Sequence, residues 1–171
     1  MLSLKFTPEY IFERFSDASP EFLTSIGIKG IILDVDNTLE PYENSVPGDK
    51  VTEWFKSLNE HGISAAIVSN NNKARIDLFN KELNIPAYSK AKKPFSKNIY
   101  RAMSDIGTAK ENTVFMGDQI FTDVWAAHNA GIAAILVPPI KDKRDIFTRF
   151  KRLFEKPFIR KYHKKMKENK K

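Results

Sequence analysis

A chain of 171 residues that is 42% hydrophobic, with 13 Phe and 2 Trp, holds material for one ordinary core, which argues for a single domain and against two. The absence of Cys excludes disulfides, thiolate zinc ligands and cysteine nucleophiles and points to the cytoplasm, and no apolar run reaches the roughly 18 residues of a membrane span. The net charge of +7 is uneven, because residues 141–171 carry 14 Lys/Arg against 4 Asp/Glu while the rest carries 14 against 17; a mildly acidic body precedes a basic tail.

The first residues soon meet Pro8, Glu9 and Glu13 and lack the long apolar core of a secretory signal. Residues 8–25 read as two short helices covering one sheet edge, the second opened by Ser19-Pro20-Glu21 as an N-cap with Pro at the first helical position. Residues 1–27 are thus expected to form an N-terminal helical segment packed on the core. The run Gly30-Ile31-Ile32-Leu33 then stops on Asp34 and Asp36, as a central parallel strand does when it delivers chemistry at its carboxyl end. Val51, Trp54, Phe55 and Leu58 recur at helical spacing. Strands follow at 63–68 and 86–88, with a helix over 73–83 between them. A helix over 95–106, a strand over 113–116, a helix over 122–130 and a strand over 132–137 complete the alternation, which implies a parallel sheet of about five strands with right-handed crossovers. Residues 144–168 read as a helix interrupted at Pro157, with Phe147, Phe150, Phe154, Phe158 and Tyr162 on one face and basic residues on the other.

The polar residues at the strand ends form one set: Asp34 and Asp36 after the first strand, Ser69-Asn70-Asn71 after the second, Lys93-Pro94 after the third, and Gly117-Asp118-Gln119 with Asp123 after the fourth. Alternation in an extended chain points Asp34 and Asp36 the same way. Carboxylates, a hydroxyl and an ammonium at one crevice suit magnesium-assisted phosphoryl transfer, since hard oxygens hold the metal and cations hold phosphate. Each residue alone has a plainer reading. An Asp-x-Asp is often a turn or helix cap, Ser69 could cap the helix that follows it, Lys93 sits beside Lys90 and Lys92 as a surface charge would, and Asp118 after Gly117 suits a turn. What argues against four coincidences is their common order and placement.

In that order the motifs Asp34-Val35-Asp36-Asn37-Thr38, Ser69, Lys93 and Gly117-Asp118 through Asp123 resemble those of the haloacid dehalogenase superfamily of phosphatases, over residues 28–138. Gly27-Ile28-Lys29-Gly30, Lys93-Pro94 and Gly117 to Val124 look, more closely, like the YqeG family of subfamily IIIA, which is similar to mitochondrial phosphatidylglycerophosphate phosphatase. The resemblance implies an α/β three-layer Rossmannoid sandwich over residues 28–140. It implies Asp34 as nucleophile, Asp36 as general acid and base, and Lys93 as the charge between Asp34 and phosphate. Thr38, Ser69 and Asn70 would meet the substrate, and Mg2+ would be held by Asp34, the Asp36 carbonyl and Asp118, with Asp123 in support or through water.

Neither interval that holds a cap domain in larger relatives has room for one here, so the site is expected to be open and its phosphate to be displayed on something large. With the basic aromatic tail over 141–171 this makes phosphatidylglycerophosphate the expected substrate and the tail a peripheral contact with an anionic membrane. Two alternatives stand beside it: a nucleotide or nucleic-acid end as substrate, and a non-catalytic binding module on the same scaffold. The tail aromatics could also simply pack on the domain.

Overall fold

The computed structural model describes residues 5–141, 155 and 157–164. Six strands form one sheet in the order β1-β6-β5-β2-β3-β4: β1 is Tyr10–Ile11, β2 Gly30–Leu33, β3 Ser64–Val68, β4 Ala87–Tyr88, β5 Thr113–Gly117 and β6 Ala133–Leu136. All neighbouring pairs are parallel. The helices are α1 (Pro20–Ser25), α2 (Asp49–Glu60), α3 (Lys73–Leu83), α4 (Lys97–Asp105) and α5 (Trp125–Ala130), the last preceded by a π-helical turn over Ile120–Val124. Residues 157–164 are also helical. Among the described residues no helix is long and apolar enough to cross a membrane.

Alternation within the buried strands divides the core. Ile31 and Leu33 point into a cluster shared with Val51, Trp54, Phe55 and Leu58 of α2, Ile76 and Phe79 of α3, and Leu23 of α1. Ile32, between them, joins the opposite cluster with Ile99, Ala102 and Met103 of α4 and three alanines of α5. The result is the expected three-layer sandwich with β2 at its centre. Each fully buried Ile, Leu or Phe on these faces contributes about 1.5–3 kcal/mol. Local signals set the helix ends: the Ser19 hydroxyl accepts from Phe22 N–H at 3.2 Å with Pro20 in the first turn, and Asn72 caps α3 by accepting from Arg75 N–H at 2.9 Å.

The expected pair of helices over residues 8–25 is half right. Residues 10–11 are an edge strand beside β6, followed by a 3-10 turn over Phe15–Asp17 and then α1. Two residues are too few for a period to show, and edge pairing decides their conformation. The sheet therefore gains a sixth strand.

The N-terminal segment is also pinned by side chains. His128 on α5 meets the Lys5 carbonyl at 2.8 Å through Nδ1 and Glu9 Oε2 at 3.1 Å through Nε2, and Glu9 Oε2 accepts from Ala134 N–H at 2.7 Å. Two acceptors flank one ring, so the doubly protonated form fits best. Burial pushes the His128 imidazole down, but Glu9 and the Lys5 carbonyl outweigh it and the net shift is upward from 6.5. Burial likewise pushes the Glu9 carboxyl up, and the bonds from His128 and Ala134 bring it net below 4.5. The His128 contribution is full below its ordinary value and is lost as pH rises through the raised one. That of Glu9 is full above its ordinary value and is lost as pH falls through the lowered one. The difference in melting temperature between wild type and Glu9→Gln is therefore expected to be largest between pH 4.5 and 6.5 and to shrink on both sides; a difference flat across pH would break the link.

The tail contacts that are described lie on the domain. Phe158 packs on Phe6 and Phe121 with ring centroids 5.3 and 6.0 Å apart, Ile159 joins the α4/α5 cluster, and the Tyr162 hydroxyl accepts from Ile11 N–H at 3.3 Å. The aromatic face at Phe158 and Tyr162 is thus turned inward, while Arg160, Lys161 and Lys164 are exposed. Phe147, Phe150 and Phe154 lie outside the described residues.

Candidate active site

The polar ends of β2, β3 and β5 and the loop after β4 meet at one edge of the sheet. Asp34 continues the line of β2, its N–H bonded to Met116 C=O at 3.0 Å, and its Oδ1 accepts from Val35 N–H at 2.8 Å. The chain then turns sharply, with Asn37 at φ 63°, in the left-handed region that Asn tolerates well. Thr38, Leu39 and Glu40 N–H groups all return to Val35 C=O. The loop is closed by Glu40, which accepts from Asn44 Nδ2 at 2.7 Å and from Gly48 N–H at 2.9 Å, so eight residues lead directly into α2.

Lys93 is the electrostatic centre. Its ammonium lies 3.0 Å from Asp34 Oδ2 and 2.7 Å from Asp123 Oδ1, and all three side chains are at most 10% exposed. Burial favours the neutral amine, but the two carboxylates outweigh it and hold the Lys93 pKa above its ordinary value. Asp123 is pushed upward, first by burial and then by Asp34, against the pull of Lys93. Carboxylate oxygens of Asp34, Asp118 and Asp123 lie within 4.8 Å of one another and all three residues are buried. Three buried acids around one ammonium leave an excess of negative charge, and hard oxygen donors are what a divalent cation such as magnesium takes. The donor set fits such an ion.

Gly117 makes this convergence possible. A Cβ on Gly117 would collide with the Asp123 side chain, so only Gly lets the π-helical turn fold back against the end of β5. Within that turn Asp123 Oδ2 accepts from Gln119 N–H at 3.0 Å. Asp123, expected among the metal-binding residues in support or through water, stands in the same carboxylate group as Asp34 and Asp118 and bonds Lys93 directly.

Asp36 is oriented by Asn71, one of the strand-end residues, and by Arg75, which the sequence did not single out. Its Oδ2 accepts from Asn71 Nδ2 at 2.7 Å and its Oδ1 from Arg75 Nη2 and Nε at 3.0 and 3.2 Å. Arg75 reaches across from α3 and also donates to Ser45 C=O at 2.9 Å, which ties the loop after β2 to the same cation. Nothing in the sequence around Arg75 marks this role, since its partner is 39 residues away.

The residues expected to meet substrate divide. Thr38 and Ser69 are 1% and 2% exposed. Among the described residues Thr38 Oγ1 has no hydrogen-bond partner, and Ser69 Oγ accepts from Asn71 N–H at 3.3 Å, which leaves its hydroxyl proton to be donated. Asn70 behaves otherwise: Oδ1 accepts from Lys93 N–H at 2.7 Å and Nδ2 donates to Lys93 C=O at 3.3 Å. Both ends of its amide grip the backbone of Lys93, so Asn70 helps to place the cation.

A sequence profile described as haloacid dehalogenase-like hydrolase matches residues 28–137, the stretch that runs from β2 to the end of β6. The chain belongs to that family. It is 38% identical over 159 residues to the probable phosphatase YqeG of Bacillus subtilis strain 168, covering 93% of this chain and 92% of that protein. Among solved structures, a haloacid dehalogenase superfamily hydrolase from Ehrlichia chaffeensis superposes with a TM-score of 0.53 at 18% identity, over 78% of this chain and 98% of that one. The 3-deoxy-D-manno-octulosonate 8-phosphate phosphatase of Moraxella catarrhalis, solved with magnesium, phosphate and its sugar, gives 0.52 at 20% identity over 67% and 71%. At these identities the two structures speak for the fold alone. The haloacid dehalogenase-like phosphatase seen here is a minimal one: between Asp36 and Ser69 lie one loop, α2 and β3, and between Ser69 and Lys93 lie α3 and β4, with no inserted cap.

Proposed function

We propose that this phosphatase hydrolyses phosphomonoesters through an aspartyl-phosphate on Asp34 with magnesium bound at Asp34, Asp118, Asp123 and the Asp36 carbonyl, and that its substrate is phosphatidylglycerophosphate. The observation that carries the reaction is the Lys93 ammonium bridging Asp34 and Asp123 at 3.0 and 2.7 Å, which lets an anionic nucleophile and an anionic phosphoryl group share one site. An Asp34 oxygen attacks phosphorus as the ester oxygen leaves, and Asp36 gives that oxygen its proton. Asp36 then takes a proton from water as the water oxygen attacks phosphorus, releasing phosphate and restoring Asp34. To do so Asp36 must turn from Asn71 and Arg75 toward the leaving oxygen. Thr38 and Ser69 hydroxyls would donate to phosphoryl oxygens, and magnesium, when bound, would neutralise their charge.

The substrate reading is supported by the rim of the uncapped crevice. Tyr42, Val46, Phe95 and Ile140 are 52%, 47%, 72% and 46% exposed, all on loops beyond the carboxyl ends of strands, and Lys90, Lys92 and Lys141 are exposed among them. An apolar and basic rim suits a phosphate carried by an amphiphile at an anionic surface. With Phe158 and Tyr162 packed on the domain, the tail is read as contributing charge to a peripheral, cytoplasmic-side contact. The test is phosphate release, with magnesium and with chelator, from phosphatidylglycerophosphate vesicles, a nucleotide, a 3′-phosphorylated oligonucleotide and an aryl phosphate. The expected order places the vesicles first. Preference for the oligonucleotide would replace the lipid by a nucleic-acid end, and inertness toward all four would leave a binding module.

A further inference from the structure

We infer that Glu155 is a positioning residue for the metal-binding loop, so that the C-terminal segment sets the divalent-cation affinity of the site. The inference rests on the reading of Asp34, Asp118 and Asp123 as metal ligands. The loop from Asp118 to Asp123 is short, and its path depends on where the head of the π-helical turn lies. Two successive N–H groups there are each held by a carboxylate. Gln119 N–H is taken by Asp123 Oδ2 at 3.0 Å, from within the site, and Ile120 N–H by Glu155 Oε1 at 2.8 Å, from 35 residues away. Ile120 is 0% and Glu155 6% exposed, so water does not compete for this bond and a charged acceptor makes it strong. Gln119 C=O in turn accepts from Asp123 N–H at 2.9 Å. A shift of Ile120 is therefore passed to both acids that flank it.

The segment around Glu155 is held on the same turn by apolar contact. Phe158 packs edge-on against Phe121, within the turn, and against Phe6, while Tyr162 bonds the N-terminal edge strand. Polar and apolar contacts from one stretch of tail thus converge on the five-residue π-helical turn between β5 and α5. Partners that orient a ligand-bearing loop commonly govern metal affinity by about 10–100-fold.

The experiment uses full-length protein and three variants, Glu155→Ala, Glu155→Gln and Phe158→Ala, with magnesium binding measured by calorimetry alongside aryl phosphate kinetics and thermal melting. Glu155→Ala is expected to weaken magnesium binding about tenfold and to lower kcat at limiting magnesium, with kcat and KM for the aryl phosphate recovering at saturating metal. Glu155→Gln keeps an oxygen acceptor for Ile120 N–H and is expected to restore most of the affinity. Phe158→Ala should lower the melting temperature and weaken magnesium binding much less than Glu155→Ala does. Unchanged affinity in Glu155→Ala, or an equal loss in Phe158→Ala, overturns the inference. If the wild type binds magnesium and releases no phosphate while Glu155→Ala still weakens binding, the proposed reaction falls and the positioning role stands.

Discussion

Asp34→Asn is expected to leave the protein folded and to lower phosphate release by a factor on the order of 10^4, the scale seen when a covalent nucleophile is removed. The fold should survive because an amide oxygen can still accept from Val35 N–H, as Asp34 Oδ1 does at 2.8 Å, and the backbone bond to Met116 is untouched. The change also removes one of three crowded buried acids, and Lys93 keeps Asp123 as its partner. The melting temperature should therefore be equal to or above that of wild type. A variant that retains turnover would show that phosphorus is attacked by something other than Asp34. One that is inactive but unfolded would show only that the residue holds the fold, and circular dichroism separates the two.

The second large effect concerns Lys93, where loss of stability and loss of activity should come together. Lys93→Met keeps the length of the side chain over the Phe115 ring, which the ammonium now faces at 5.2 Å, but leaves Asp34 and Asp123 buried without the charge that bridges them. Removing one partner of a buried ion pair costs about 3–5 kcal/mol. Urea unfolding is expected to show a loss of that order, and added magnesium should stabilise the variant more than wild type, because the ion would then be the main counter-charge to the three acids. Turnover should stay low even with the metal present. Wild-type stability in the variant would mean that the acids are satisfied without Lys93.

Much of this arrangement is readable in the sequence because strand ends and motif spacing both speak. The bounds of α3 coincide with its predicted span, Lys73–Leu83, since Asn72 caps its start and Asn84 adopts the left-handed conformation at its end. The inward set of α2 follows from its helical period. Gly117 and Asp123 were in view as parts of one motif, although the collision that requires the glycine is a matter of three dimensions. Arg75 and Glu155 illustrate the opposite case. Both act on residues 35–39 positions away, each is one charge among many in its segment, and no local pattern distinguishes it from a solvated side chain. At Phe158 and Tyr162 the aromatic spacing of the tail marks an apolar face, yet spacing alone does not say whether a bilayer or the domain itself will cover that face. Phe6, Phe121 and Phe158 answer for the part described.

The edge strand beside β6 also orders events in time. Tyr10 pairs with Ile135, so this edge segment must wait for every other strand of the sheet to be made before its backbone finds a partner. Pairings of this separation close slowly, because the entropy of the intervening loop is lost before any contact offsets it. The central strands β2, β3 and β5 can assemble without that edge. Arrival of β6 and then of the segment around Tyr162 would seal β1 in place, making the pairing of that edge a late step of folding.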